Sequence, residues 1–259
     1  SISSAGSAAS ASSCSITTPL RLPIAGAGVA GFVKVCVTNS ALRFMRPVLR
    51  MNAFEDSMKA DPAHRHLVIF ARRPALGAGK RRLAREIGDL AALRFQRSSL
   101  TRLSRTLDQN ALWTLWLCLT PDRAPATFFS RREIPQGAGD LGQKLTRLMG
   151  QLPPGEVVVI GSDAPQIGRA DIRAAFRALG RKSAVFGPAR DGGFWLVGLD
   201  HAARRRPPFS NVRWSTAHTL GDVIARHAPR SFELLRELED VDDAESLRRV
   251  GAAMRRRRS

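Results

Sequence analysis

The chain has no tyrosine, only three cysteines and, among its 41 cationic residues, only five lysines. Cys14, Cys36 and Cys118 are far apart and lack metal-ligand spacing, which excludes a disulfide framework and a cysteine-based zinc site and fits a reducing compartment such as the cytoplasm. No uninterrupted apolar run reaches the roughly 18 to 20 residues that span a bilayer, so no membrane span is expected. No acidic residue precedes Glu55, and residues 1–13 are almost wholly Ser, Ala and Gly. That composition cannot offset its ordering entropy by burial, so residues 1–60 read as a disordered leader or extension, with Met51 and Met58 as plausible starts. Within it, Gly26-Ala27-Gly28-Val29-Ala30-Gly31 has dinucleotide-fingerprint spacing, but Pro23 interrupts any preceding strand and no acidic residue follows about 20 positions on.

Positive charge is abundant. The formal charge is +19, carried mostly by Arg spread along the whole chain. Arg204-Arg205-Arg206 and Arg255 to Arg258 are the dense runs, in a loop and in a basic tail over residues 253–259. A dispersed Arg bias favours non-specific polyanion binding at low salt; no specific nucleic-acid partner is expected.

Glu156-Val157-Val158-Val159-Ile160-Gly161 is a β-branched apolar run, as expected of a parallel strand buried on both faces. The first polar side chains after it are Ser162 and Asp163, followed by the stiffening Pro165. In open α/β sheets ligands bind just beyond the carboxyl ends of the strands, so Asp163 is a candidate metal or substrate contact. The alternative is a cap for the helix beginning near residues 168–171.

Other segments follow the same alternation of strand and helix. Leu67 to Ala71 is a strand leading into the basic loop Arg72 to Leu83, where Gly79, Lys80 and Arg82 suit a polyphosphate. It is not a P-loop, because Pro74 stands in the first Gly position and Arg81 replaces Ser/Thr. Helical spacing runs from Arg81 to Leu107, and Trp113 to Leu119 is a strand whose two tryptophans are expected on one core face. In Gln136-Gly137-Ala138-Gly139-Asp140, a helix cap at Asp140 and a nucleotide contact are equally good readings. A helix (171–179) and a strand (183–186) precede Arg190-Asp191-Gly192-Gly193-Phe194, a tight turn whose Asp191 could share a cation with Asp163. Trp214-Ser215-Thr216 is expected to open a helix with a hydroxyl cap, residues 232–238 to form a strand, and Glu239 to Leu247 to be an acidic turn into a terminal helix. The fold class expected is α/β, a Rossmann-like three-layer α/β/α sandwich with a mostly parallel sheet, over residues 61–252.

Taken in order, Phe70 to Pro74 with Gly77 to Leu83, Gln136 to Gly142, Gly161 to Pro165, Gly187 to Phe194, Trp214 to Thr216 and Asp240-Val241-Asp242 resemble the DUF2064 family. These are glycosyltransferase-like proteins of the GT-A nucleotide-diphospho-sugar transferase superfamily, related to the 2-phospho-L-lactate guanylyltransferase group. The resemblance spans about Leu67 to Val250. It implies a transferase using a nucleotide-activated donor and Mg²⁺ or Mn²⁺, most simply a nucleotide-sugar glycosyltransferase. Its alternatives are a nucleotidylyltransferase acting on a small phosphorylated acceptor, or a non-catalytic nucleotide- or polyanion-binding protein.

Carried over by position, Asp163, Asp191 and Asp242 would be the metal ligands, the first two being catalytic. Lys80, Arg82, Gly79, Gln136, Gly137, Gly139, Asp140 and Ser162 would meet nucleotide and phosphate. Gly192, Gly193, Trp214, Ser215 and Thr216 would meet an unknown acceptor or the donor's far end. The chain departs from the family pattern in three places: Lys80-Arg81-Arg82 for Lys-Thr-Arg, Phe194 for Tyr, and Ser162-Asp163 for Asp-x-Asp.

Overall fold

The structure, a computed structural model, describes residues 64–108, 112–122 and 132–256. The leader with its Gly26 to Gly31 motif, both candidate start methionines, Cys14, Cys36 and residues 257–259 of the basic tail lie outside the described residues.

Seven strands form one sheet in the order β3-β2-β1-β4-β6-β5-β7. They are β1 (Arg65–Arg72), β2 (Thr114–Thr120), β3 (Glu133–Pro135), β4 (Glu156–Gly161), β5 (Ala184–Pro188), β6 (Phe194–Leu199) and β7 (Phe232–Leu234). All run in one direction except β6, which is antiparallel to both of its neighbours, β4 and β5. The helices are α1 (Arg81–Ile87), α2 (Asp89–Asp108), α3 (Leu141–Gln151), α4 (Arg169–Leu179), α5 (Thr219–His227) and α6 (Ala244–Arg256). The last of these carries regular helix into the stretch read as a basic tail, through residues 253–256.

Side chains alternate along each strand, and here both sets are buried. Leu67, Ile69, Val158 and Ile160 pack with Leu100, Leu103 and Leu107 of α2 and Ile172 and Phe176 of α4. Val68, Val157 and Val159 pack on the other face with Leu145, Leu148 and Met149 of α3 and Val223 of α5. This explains why the central strands read as unbroken β-branched runs, since neither face can be polar. A third, smaller core joins Leu83 of α1 to Val241 and to Val250 of α6.

Several local expectations change. Trp113 and Trp116 are three residues apart, so along a strand they fall on opposite faces. Trp113 stacks on Phe176 (5.9 Å between centroids), and Trp116 lies in the other core, donating from Nε1 to His66 Nδ1 (3.2 Å). The strand β3 is too short for a periodic signal, and β7 stops at Leu234 instead of continuing to Leu238. Helix α5 begins at Thr219, after Trp214-Ser215-Thr216, and has no side-chain cap. Thr216 instead closes the preceding turn, with its Oγ1 donating to Arg213 O (2.9 Å) and accepting from His218 N (3.2 Å).

The link from α3 to β4 is fastened by the buried Arg204. Its guanidinium donates to the carbonyls of Met149, Leu152, Pro153 and Gly155, the first two at the C-terminal end of α3. A cation at this end complements the helix dipole and satisfies carbonyls left without intrahelical partners. Burial without a carboxylate partner pulls its pKa down to about 10.

Candidate active site

Strand order dictates where a crevice opens. β1 connects to β2 on one side and has β4 on the other, so the chain switches direction between β1 and β4, and ligands of such sheets bind beyond the carboxyl ends at that point. The Lys80 loop leaves β1 there, and Ser162-Asp163 leaves β4 beside it. Because β6 runs backwards, the turn Arg190 to Gly193 between β5 and β6 lies on the same rim. The segment after β7 also arrives there, through the pairing of Leu238 with Ala189.

Lys80 is the centre of the cluster these segments form. Its Nζ stands 2.9 Å from Asp163 Oδ2 and 2.7 Å from Asp242 Oδ1. Its side chain is 8% exposed, whereas those of Asp163 and Asp242 are 47% and 50% exposed. Burial alone would lower the ammonium pKa; the charges of Asp163 and then Asp242 outweigh it and raise the pKa above its ordinary value. Lys80 also sits in the left-handed region (φ 45°), unusual for a residue with a side chain. Asp163 is fixed from several directions: Ser162 Oγ donates to its Oδ1 (3.3 Å), Val241 N donates to its carbonyl (3.0 Å), and Ser99 Oγ holds the Ser162 carbonyl (2.6 Å). Asp163 therefore caps no helix. The α4 cap is Gly168, whose N–H is taken by Asp171.

Asp240 belongs to this group; in the sequence it stands in a motif whose site role is assigned to Asp242 alone. Burial, then the Asp163 charge, push its carboxyl up to about 7, with Lys80 pulling the other way and Asp191 and Asp242 adding to the rise. The signal was the acidic run itself, in which sequence gives no means of assigning roles. Structurally, Asp243 caps α6 by accepting from Ser246 N (2.8 Å), and Glu239 pairs with Arg249 and Arg190. Asp240 and Asp242, on either side of the buried Val241, are left for the crevice.

The Gln136 to Asp140 loop resolves toward its structural reading. Gln136 is buried, and its Nε2 donates to Ala71 O (2.9 Å) and Cys118 O (3.0 Å), joining the ends of β1 and β2. The N–H groups of Gln136 and Gly137 both donate to the Asp122 carboxylate (3.0 Å each). Arg147 takes the carbonyls of Gln136 and Ala138. Gly137 has φ 73°, and a Cβ there would lie 2.3 Å from Arg147 Nη1. Asp140 caps α3 in a capping box with Gln143, and a Cβ on Gly139 would meet Gln143.

On the other flank, Asp191 is exposed and accepts from Gly193 N (2.9 Å). Gly192 has φ 83°, and a Cβ there would lie 2.3 Å from Ala217 O, so the turn and the 214–218 loop are in backbone contact. The half-buried Trp214 packs against Phe194 and Phe209. Ser215 is left-handed (φ 59°). Arg82 is exposed on α1, and Gly79 (φ 80°) lies against Arg72 and Gln96.

Whether a divalent cation fits is answered by the donor set. Among the described residues no three His, Cys, Asp or Glu side chains are grouped to hold an ion. Asp163 and Asp242 share one cation already, the ammonium of Lys80. Mg²⁺ and Mn²⁺ commonly take one or two carboxylates and complete their shell with water and substrate phosphates, so a two-carboxylate site suits them. Asp191 acts on the cluster through its charge, which helps to raise the Asp240 carboxyl.

The seven-stranded, mostly parallel sheet with helices on both faces is the nucleotide-diphospho-sugar transferase type of α/β fold. It is similar to the crystal structure of a "putative nucleotide-diphospho-sugar transferase" from Desulfovibrio desulfuricans G20, with a TM-score of 0.66 and 23% identity over 71% of this chain and 85% of that one. It is also similar to a CMP:2-keto-3-deoxy-manno-octonic acid synthetase complexed with CTP, with a TM-score of 0.51 and 12% identity over 75% of this chain and 100% of that one. Residues 103–216, which include the motifs at Gln136 to Gly142, Gly161 to Pro165, Gly187 to Phe194 and Trp214 to Thr216, match the model of the DUF2064 family, described as "Uncharacterized protein conserved in bacteria". No curated protein matches the chain.

Proposed function

We propose that this protein is a metal-dependent transferase that takes a nucleotide-activated donor, and that the group transferred is a sugar. The observation that carries this reading is the Lys80 ammonium bridging Asp163 and Asp242 at the switch point of the sheet. An anion-binding cation and a carboxylate pair at one rim supply what a pyrophosphate and its counter-ion require. Asp163 and Asp242 would hold Mg²⁺ or Mn²⁺, which supplies charge stabilisation on the pyrophosphate. Lys80, and Arg82 in the first turn of α1, would neutralise phosphate oxygens. The Gly192-Gly193 turn, braced on the 214–218 loop, would border the donor's sugar and the acceptor, with Asp191 at its edge.

The fold shared with a nucleotide-diphospho-sugar transferase by name supports the sugar reading. Nucleotidyl transfer to a phosphorylated acceptor is the second reading, favoured by the likeness to the synthetase bound to CTP. In that case the same cations would face the attacked phosphate and not the leaving group. A thermal-shift screen decides between them, using nucleotide-sugars and nucleoside triphosphates with and without Mn²⁺. A ligand at 100 times its Kd stabilises by about 2.7 kcal/mol. A metal-dependent shift with one nucleotide-sugar is expected; a larger shift with a triphosphate favours nucleotidyl transfer, and no shift with any ligand refutes both.

A further inference from the structure

Lys80 occupies a singular position: its side chain is only 8% exposed, its backbone is left-handed, and its ammonium touches the two carboxylates that the proposed function assigns to a divalent cation. Nζ lies 2.9 Å and 2.7 Å from the two oxygens, so one cationic centre already neutralises both. A divalent ion and an ammonium cannot share that place, because like charges a few ångströms apart repel strongly where water is scarce.

We propose that Lys80 is a built-in competitor of the metal: in the ligand-free protein its ammonium holds the Asp163–Asp242 site closed to divalent cations, and it vacates the site when phosphate oxygens offer it another partner. This inference rests on the metal-dependent reading above. Its consequence is thermodynamic coupling. Nucleotide phosphates draw the ammonium away and thereby raise metal affinity, and by linkage the metal raises nucleotide affinity by the same factor. Free Mg²⁺ or Mn²⁺ binds poorly, and the carboxylates are never left bare between ligands. A lysine that only contacts phosphate predicts something different, namely that its loss weakens nucleotide binding and leaves the affinity for metal alone untouched.

The test is Mn²⁺ binding followed by electron paramagnetic resonance, without nucleotide and then with each of the four ribonucleoside triphosphates, corrected for Mn²⁺ held by free triphosphate. Wild type is compared with Lys80→Met and Lys80→Gln, each checked by circular dichroism. Two variants are used so that one failing to fold leaves the other. The expected result is that the folded variants bind Mn²⁺ alone about tenfold more tightly than wild type, and that the tightening produced by triphosphate in wild type is lost. Mn²⁺ affinity unchanged or weakened in both variants, with wild type binding Mn²⁺ in the presence of triphosphate, overturns the competition while leaving the metal-dependent reading intact. Wild type that binds no Mn²⁺ under any condition refutes the metal-dependent reading itself, and the competition falls with it.

Discussion

Two glycine-bearing loops on the same rim, each leading into a helix, end up as opposites. In the Gln136 to Asp140 loop nearly every polar group is spent internally: two amides on Asp122, two carbonyls on Arg147, and Asp140 on the α3 cap. In the Lys80 crevice the partners are charges, and the carboxylates remain about half exposed. The first loop is a finished joint between strands and has little left to offer a ligand. The second is held by a contact that a ligand could exchange. Motif spacing alone makes the two look alike; the hydrogen-bond accounting separates them.

The comparison breaks most visibly at Asp163. Asp163→Ala should lower metal-dependent nucleotide affinity by about 100-fold, roughly 2.7 kcal/mol, with far-UV circular dichroism unchanged, measured by titration calorimetry. Equal titration curves for variant and wild type would sink the site assignment. Next in size is acid. His66 is fully buried near the start of β1, away from the crevice, and accepts from Trp116 Nε1, so a second ring proton has no place; burial pushes its pKa down to about 4. Below an unfolded pKa of about 6.5 the unfolded chain takes up a proton that the fold refuses. Stability is therefore full above that pH and should fall by about 2 kcal/mol as pH drops toward 4, in urea melts. His66→Gln should flatten that slope, and an unaltered slope would place the titration elsewhere.

Asp122→Ala tests the finished joint directly. Leaving two amides without their acceptor should cost about 1–2 kcal/mol, or a Tm drop of about 4 °C, while nucleotide affinity stays within about twofold. A loss of affinity matching that of Asp163→Ala would show that the joint also contacts ligand. The smallest effect belongs to Asp140→Ala, about 1 kcal/mol for a lost cap, with binding again unaltered.

Much of the architecture was legible because burial on both faces leaves an unambiguous trace: the runs at 67–71 and 157–160 are strands in the structure as in the sequence. Asp163, Lys80 and Asp242 were each legible singly, as polar residues at strand ends or in an acidic turn. Their meeting was not, because it depends on which strands are neighbours. That Asp191-Gly192-Gly193 shares the rim requires β6 to run backwards, and no local pattern encodes direction. Asp240 could not be told from Asp243, since capping and crevice-lining carboxylates are chemically the same. Gln136 was read as a ligand contact because side-chain amides suit both bases and backbone, and only packing decides between them.

One irregularity in the sheet has a further effect. At β6, Pro188 pairs with Phe194 and Gly187 with Leu196, so Trp195 is an extra residue opposite no partner of its own. Its indole fills the space that a Cβ on Gly187 would take and donates to Arg236 O (3.1 Å). The slip resets the phase of the strand: Trp195 and Leu196 enter one core together, and Phe194 is turned into the other, against Trp214. The bulge thus works as a phase shifter at the mouth of the crevice. Deleting Trp195 would restore strict alternation with Phe194 still on its present side, and would empty the space beside Gly187 and free the Arg236 carbonyl, so the bulge is what lets the strand carry this indole without turning Phe194 away from Trp214.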